Sequence, residues 1–508
     1  MNGAEIIVKS LAEYGVSHVF GLVGTTTLEI LDALHRDPRI TYISVRHEQV
    51  AASMADGYAR VTGKHGVCLV HSGPGAANLT LGVAAAYKDS SPVVALTGNE
   101  PTFKLGRDCW HELDHLALFR PITKLALQAR NIEELPRVLQ AGLGAALQGR
   151  PGPVHIDLPR NVCQAQATTQ MISSPSPLAA PRPDSEAIRQ TAALLLKAQR
   201  PLVISGGGVA WSGAWKELRS LVEKTALPVV LTHTSRGVLS EDHPLAFGVV
   251  GSFGIATANQ ALKEADLVLA VGCSLSDITT LDWTLISPEA KIVQADIDPG
   301  RIGRHYLVEV GIVADARAFF TALEKEVEEQ VKQEDREPFG ESARLRELRK
   351  LFQAEQEKFF EAAASEAIPL KPQRIIRELD GLLAEDAIVA VGGGLHTLFG
   401  SRVLVRTPRS YLNSVGLGAM GFAFPAAMGA KLAYPKRSTI ALVGDGDFGM
   451  VLQDLETAVR YNIPVTVVVF NNLSYGALKV MQHHAFDRRY IGVDFQNPDF
   501  TQLAQIFG

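Results

Sequence analysis

Eight short runs dominate the chain, each almost continuously apolar and each stopped by Gly, Ser, Asp or Asn. They read HGVCLVHSG, SPVVALTGN, RPLVISGGG, ADLVLAVGC, AKIVQADID, DAIVAVGGG, STIALVGDG and IPVTVVVFNN. A strand with one wet face alternates apolar and polar residues. A run without alternation fits a strand covered on both faces, as in a parallel sheet between helices. Longer helical periods such as NLTLGVAAAYKD separate the runs. The pattern predicts an α/β chain of doubly wound parallel sheets.

Two breaks divide it. The stretch 164–187, QAQATTQMISSPSPLAAPRPDSEA, is rich in Pro, Ser and Ala and has no period. A second stretch, 325–360, is charged and helical. For a chain of 508 residues this predicts three domains: 1–163, 185–335 and 362–508. The connections are a linker at 164–184 and a helical linker at 336–361.

The first and third domains share a rhythm. Gly24 and Gly73 stand 49 positions apart, Gly394 and Gly444 stand 50 apart. From Gly73 to Asn99 is 26, and from Gly444 to Asn471 is 27. This agreement points to two similarly wound modules, with their loops at equivalent strand ends, where α/β folds bind ligands. Facing modules would hold one elongated ligand between both loop sets.

A formal net charge of -5 without a long basic run argues against nucleic acid as the main partner. Small anions remain candidate ligands, held by backbone amides and a metal. The N-terminus reads as an amphipathic helix rather than a signal peptide, and no apolar run is long enough for a membrane. Cys68, Cys109, Cys163 and Cys273 form no CxxC pair, so free thiols and a cytoplasmic location are expected.

The most specific motif is GDGDFGMVLQDLETAVRYNIPVTVVVFNN, in which 24 residues separate the GDG turn from the asparagine pair. Gly444 and Gly446 allow a sharp turn and a close ligand approach. Amides at the following helix start, including that of Asp447, attract phosphate. One helix and one strand fill the gap as a βαβ crossover, so Asp445 and Asn472 are expected side by side at neighbouring strand ends. A carboxylate, an amide oxygen, a backbone carbonyl and diphosphate oxygens would complete an octahedral Mg²⁺ site.

With these motifs the chain resembles the thiamine-diphosphate enzymes. The resemblance covers essentially the whole chain and implies a pyrimidine-binding, a middle and a diphosphate-binding domain. It implies that Asp445, Asn472 and the carbonyl of Ser474 bind Mg²⁺. GGGLH looks like the family's second diphosphate loop, with Gly394, Leu395 and His396; Leu395 stands where a glutamine is common, which leaves a backbone contact. HEQVAASMADGYAR is similar to the family's activating-glutamate segment, and Glu48 would then exchange a proton with the cofactor's aminopyrimidine ring. In NSVGLGAMGFAFP, Met420 would prop the two cofactor rings and Gly418 would offer its carbonyl. That segment and Arg-Pro-Ile-Thr-Lys at 120–124 look most like acetolactate synthase.

In that family the glutamate and the metal of one site come from different subunits. A homodimer at minimum and a homotetramer are therefore expected. The family continues beyond NPDFTQLAQIFG, and a further C-terminal tail is expected. Thr25, His71 and His111 occupy substrate-loop positions, with His115 as a weaker candidate; His71 stands where benzoylformate decarboxylase has histidine. In relatives the middle domain binds FAD, ADP or nothing. The FAD-contacting segment is absent after GCSLSD, so FAD is doubtful and a structural role stays open.

The resemblance implies a thiamine-diphosphate- and Mg²⁺-dependent carboligase or lyase on 2-oxo acids, acetolactate-synthase-like. It would decarboxylate one 2-oxo acid and join the product to a second carbonyl. The alternatives are a benzoylformate-type decarboxylase, a 2-hydroxyacyl-CoA lyase or oxalyl-CoA-type decarboxylase, and a non-catalytic cofactor-binding subunit.

Overall fold

The computed structural model describes residues 1–167, 179–334 and 340–508. The expected linker at 164–184 lies mostly outside the described residues, as does the start of the one at 336–361. Sixteen strands form three sheets among the described residues.

The first sheet contains β1 (His18–Gly21), β2 (Thr41–Ser44), β3 (Gly66–Val70), β4 (Val93–Asn99), β5 (Leu125–Gln128) and β6 (Val154–Pro159). The second contains β7 (Pro201–Ser205), β8 (Val229–Leu231), β9 (Ala246–Val249), β10 (Leu267–Val271), β11 (Lys291–Asp296) and β12 (Val310–Val313). The third contains β13 (Ile388–Val391), β14 (Tyr411–Asn413), β15 (Thr439–Gly444) and β16 (Thr466–Phe470). All eight runs read from the sequence are strands, namely β3, β4, β7, β10, β11, β13, β15 and β16, and their pairings are parallel.

The strand orders are β2-β1-β3-β4-β6-β5, β12-β11-β10-β7-β8-β9 and β14-β13-β15-β16. The first four positions of the first sheet repeat in the third. Gly24, Gly73 and Asn99 follow or end β1, β3 and β4; Gly394, Gly444 and Asn471 follow or end β13, β15 and β16. The shared loop spacing therefore reflects a shared winding.

The chain divides into two compact units. One takes the N-terminal sheet together with Ile388–His396 and Leu412–Gly508; the other takes Ala179–Ala387 and Thr397–Tyr411. The first and third sheets thus lie in one unit and share one hydrophobic core, which runs from Phe20, Val50 and Met54 to Phe422, Phe424 and Met428. Helix Glu48–Thr62 is buried along nearly its whole length. Its Ala-Ala-Ser-Met-Ala-Asp-Gly run lets it approach helix Ala423–Ala433 closely. A Cβ on Gly57 would lie 2.1 Å from Ala426 O, and one on Gly429 would lie 2.0 Å from Met54 O.

In the second unit the sheet has the order of a dinucleotide-binding fold. The amides of Gly206 and Gly208 at its glycine-rich turn donate to Val271 O at 2.9 Å and Gly272 O at 3.0 Å. Those two amides are committed to the fold. The charged segment expected to be a linker forms helix Ala343–Ala363, which buries Leu345 and Leu348 in this unit's core. Its apolar residues are spaced for one helical face, and that face is covered. None of the four cysteines is in a disulfide. No helix among the described residues is long and apolar enough to cross a membrane.

Candidate functional site

β15 ends at Gly444 and pairs there with Phe470, the last residue of β16. The strand ends are therefore neighbours, and the segments following them meet. Leu473 N donates to Asp445 Oδ2 at 2.7 Å, Gly446 N donates to Oδ1 at 3.0 Å, and Asn497 Nδ2 donates to Oδ2 at 2.9 Å. Asn472 Oδ1 accepts from Ser474 N at 3.2 Å and Ser474 Oγ at 3.3 Å. Asn497 also reaches Asn471 Oδ1 at 2.9 Å. It ties the two loops together, and nothing in its own neighbourhood, QNPDF, marked it.

One expectation needs correction. The segment between the GDG turn and β16 is not one helix. It runs as Asp445–Phe448, a 3₁₀ turn Leu452–Asp454, and Leu455–Arg460. Gly449 and Met450 form the break. Asp454, where the next helix starts, accepts from Arg46 N at 2.8 Å and Thr457 Oγ1 at 2.8 Å.

Asp447 is buried beside this turn. Its Oδ1 accepts from Gly421 N at 2.5 Å, while Oδ2 has no hydrogen-bond partner and lies 3.9 Å from His396 Nε2, which has none either. Burial pushes the Asp447 carboxyl up to about 7 and His396 down to about 4, disfavouring the charged form of each. His396 stacks on Phe470 and fits against the backbone of Gly394 and Gly444. Leu395 packs toward Gly476. Gly418 is exposed, with nothing within 4 Å of where a Cβ would stand, and Met420 is half-buried.

Glu48 opens helix Glu48–Thr62, capped by His47, whose Nδ1 accepts from Gln49 N at 3.2 Å. It is 7% exposed, and Oε2 accepts from Asn78 Nδ2 at 3.0 Å. Asn78 lies on helix Pro74–Lys88, which starts at the Gly73 loop.

The substrate-loop candidates are brought together in part. His71 Nε2 meets His111 Nδ1 at 3.0 Å, edge to face. Burial, aided by His111, lowers the His71 pKa. His111 adopts φ +65, stacks on Trp110, and receives Ser72 Oγ on its carbonyl at 2.9 Å. Thr25 is exposed; its neighbour Thr26 holds His71 Nδ1 at 2.8 Å. His115 is buried beneath the loop. Gly73 N donates to its Nε2 at 3.2 Å, so the proton sits on Nδ1, 2.7 Å from Asp157 Oδ1.

Asp157 also accepts from Thr97, Asn99 and Gln128 at 2.6 to 2.7 Å. Burial alone would raise its pKa, but His115 and these donors outweigh it and hold the pKa below the ordinary value. His155, hydrogen-bonded to Thr97 at 2.8 Å and stacked on Phe119, is pushed down to about 3 by burial. Its folded pKa lies below its unfolded one. Its contribution is complete above about pH 6.5 and is lost as pH falls toward 3. At pH 5 this should cost about 2 kcal/mol. His155→Phe should therefore show a smaller drop in melting temperature between pH 7 and pH 5 than the unsubstituted chain; equal drops would count against it.

Three family domains match in order: the N-terminal TPP binding domain over residues 1–118, the central domain of thiamine pyrophosphate enzymes over 188–323, and the C-terminal TPP binding domain over 392–508. The chain is 40% identical to a probable acetolactate synthase large subunit of Methanocaldococcus jannaschii, covering 100% of this chain and 86% of the relative. It is 38% identical to one of Methanococcus aeolicus, over 100% and 87%, and 36% identical to the isozyme 3 large subunit of Escherichia coli, over 100% and 89%. The chain therefore belongs to the thiamine pyrophosphate enzymes, matches all three of their domains, and is a thiamine-diphosphate-dependent enzyme.

Proposed function

We propose that the chain is a Mg²⁺-dependent carboligase that joins two 2-oxo acids with loss of carbon dioxide, a reading supported by its similarity to proteins named acetolactate synthase large subunits. The observation that carries this reading is the meeting of the Asp445 carboxylate with the 472–474 loop, at 2.7 Å from Leu473 N. The donors are hard oxygens, as Mg²⁺ prefers: the Asp445 carboxylate, Asn472 Oδ1 and the Ser474 carbonyl. The open position at Gly418 and the unpartnered Asp447 Oδ2 leave room and polar capacity for a bound group. These residues fit thiamine diphosphate and its metal.

When bound, thiamine diphosphate supplies a nucleophilic carbon and a sink for the electron pair left by decarboxylation. The chain's residues do the rest. Asp445, Asn472 and Ser474 hold the metal, and the amides from Gly444 to Asp447, with Gly394, Leu395 and His396, receive the diphosphate. Met420 and Gly418 support the rings. Glu48 exchanges a proton with the aminopyrimidine. His71 and His111, in contact at 3.0 Å, would move protons to or from the substrate. The working unit is a homodimer at least, and a homotetramer, in which Glu48 serves the partner subunit's metal site. No reaction step is assigned to the second unit.

The His71–His111 contact favours one second reading, protonation of the decarboxylated product to an aldehyde in the manner of benzoylformate decarboxylase. Incubating the holoenzyme with pyruvate and with benzoylformate separates the two. Acetolactate from pyruvate is expected; aldehyde alone from either acid would replace carboligation with decarboxylation.

A further inference from the structure

Gly418 and Met420 sit on the loop from Asn413 to Gly421, and four of its polar contacts pin its two ends. Arg60 Nη1 donates to Asn413 O at 2.8 Å, and Gly416 N donates to Asp89 Oδ1 at 3.0 Å. Both belong to a buried ion cluster in which Arg60 also pairs with Asp56 at 2.6 Å and Asp89 at 3.1 Å. They anchor the start of the loop.

The other two contacts fall on a single peptide group. Gln49 Nε2 donates to Met420 O at 2.9 Å, and Gly421 N donates to Asp447 Oδ1 at 2.5 Å. The carbonyl and the amide of the Met420–Gly421 peptide are thus each taken by a buried side chain, and the two side chains come from opposite modules. Gln49 is 9% exposed and Asp447 is 2% exposed. Rotating this peptide would strip both groups of a partner in a site with little water, which is costly. Gly421 completes the fit. It has φ +77, and a Cβ there would lie 2.7 Å from Gln49 Nε2 and 2.9 Å from Val451 Cγ1.

Gln49 follows Glu48 on the first turn of the same helix. Consecutive residues point about 100° apart on a helix. Glu48 turns to Asn78 while Gln49 turns to the Met420 loop. An apolar side chain of similar length would fill the same volume, so packing alone does not call for an amide at this position.

We propose that Gln49, acting with Asp447, is a positioning residue for the cofactor rings. It fixes the orientation of the Met420–Gly421 peptide, and so sets where Met420 and Gly418 meet the ring-bearing end of thiamine diphosphate. The proposal rests on the reading of this loop given above. It makes a prediction specific to one end of the ligand: the diphosphate end, gripped by the metal and the turn amides, does not depend on Gln49.

The test uses the full chain with Mg²⁺, titrated calorimetrically with thiamine diphosphate and, separately, with inorganic pyrophosphate. Gln49→Met removes the donor at similar volume. Gln49→Leu also removes it, with a shorter apolar side chain. Both should bind thiamine diphosphate about tenfold more weakly, the effect of one buried hydrogen bond, and bind pyrophosphate as the unsubstituted chain does. Unchanged binding of thiamine diphosphate in either folded variant overturns the proposal, and so does an equal loss for both ligands, which marks a general disturbance. If the unsubstituted chain binds neither ligand, the site reading itself falls and takes the proposal with it.

Discussion

Glu48→Gln should lower turnover by about 10²- to 10⁴-fold, the usual range for a lost proton-transfer group. Thiamine diphosphate and Mg²⁺ should still bind. The substitution keeps the length and shape of the side chain and leaves an oxygen for Asn78 Nδ2, which now sits 3.0 Å from Glu48 Oε2. The helix start should also survive, because its cap is His47 rather than Glu48. What disappears is the exchangeable proton on a buried carboxyl. Steady-state kinetics beside a cofactor titration separate these effects. Turnover close to that of the unsubstituted enzyme would remove Glu48 from the mechanism, while loss of binding together with turnover would make its role structural.

Asp445→Ala should have the opposite signature, with binding lost first. Three N–H donors converge on this carboxylate, from Gly446, Leu473 and Asn497. Removing it deprives the metal of its one charged protein ligand and leaves those donors without their acceptor. Outer-shell substitutions already cost about 10- to 100-fold in metal affinity, so a ligand should cost more than about 100-fold. The affinity for thiamine diphosphate measured across a Mg²⁺ titration should fall accordingly. Excess Mg²⁺ should restore it only in part. A variant whose cofactor affinity still saturates at the same Mg²⁺ concentration would place the metal elsewhere.

Much of this was legible in the chain itself, for definite reasons. β3, β4, β7, β10, β11, β13 and β15 are covered on both faces or nearly so, and burial on both faces leaves an unbroken apolar run; β16 has the same kind of run but is only half-buried here. The strands that escaped are short, or polar where it matters. β8 and β14 have three residues each, too few to show a pattern. β6 carries His155 and Asp157 inside a fully buried strand, and those residues disguise it. Asp157 is tolerated there because His115, Thr97, Asn99 and Gln128 satisfy it, while His155 bonds Thr97 through Nε2 and stacks on Phe119; these partners come from other strands and from helix His115–Phe119.

The same division runs through the candidate site. The GDG turn and the asparagine pair could be matched because spacing along a βαβ unit fixes which strand ends adjoin. Asn497 and Gln49 could not be found that way, since each acts on a loop far from it in sequence. Thr25 was singled out where Thr26 bonds His71, because neighbouring loop residues point in different directions and only the folded loop shows which one faces the ring.

By itself, then, the sequence determined the parallel α/β layers and the repeated winding of two modules, and it nominated the residues proposed to hold a metal and a diphosphate. These follow from local periodicity, turn chemistry and fixed strand geometry. Only the tertiary structure decided which side chains hold the site in shape: Asn497 on Asp445, Asn78 on Glu48, and Gln49 with Asp447 on the Met420–Gly421 peptide. Hydrogen bonds reach about 3 Å, and chain distance says nothing about which groups come that close until the core has packed.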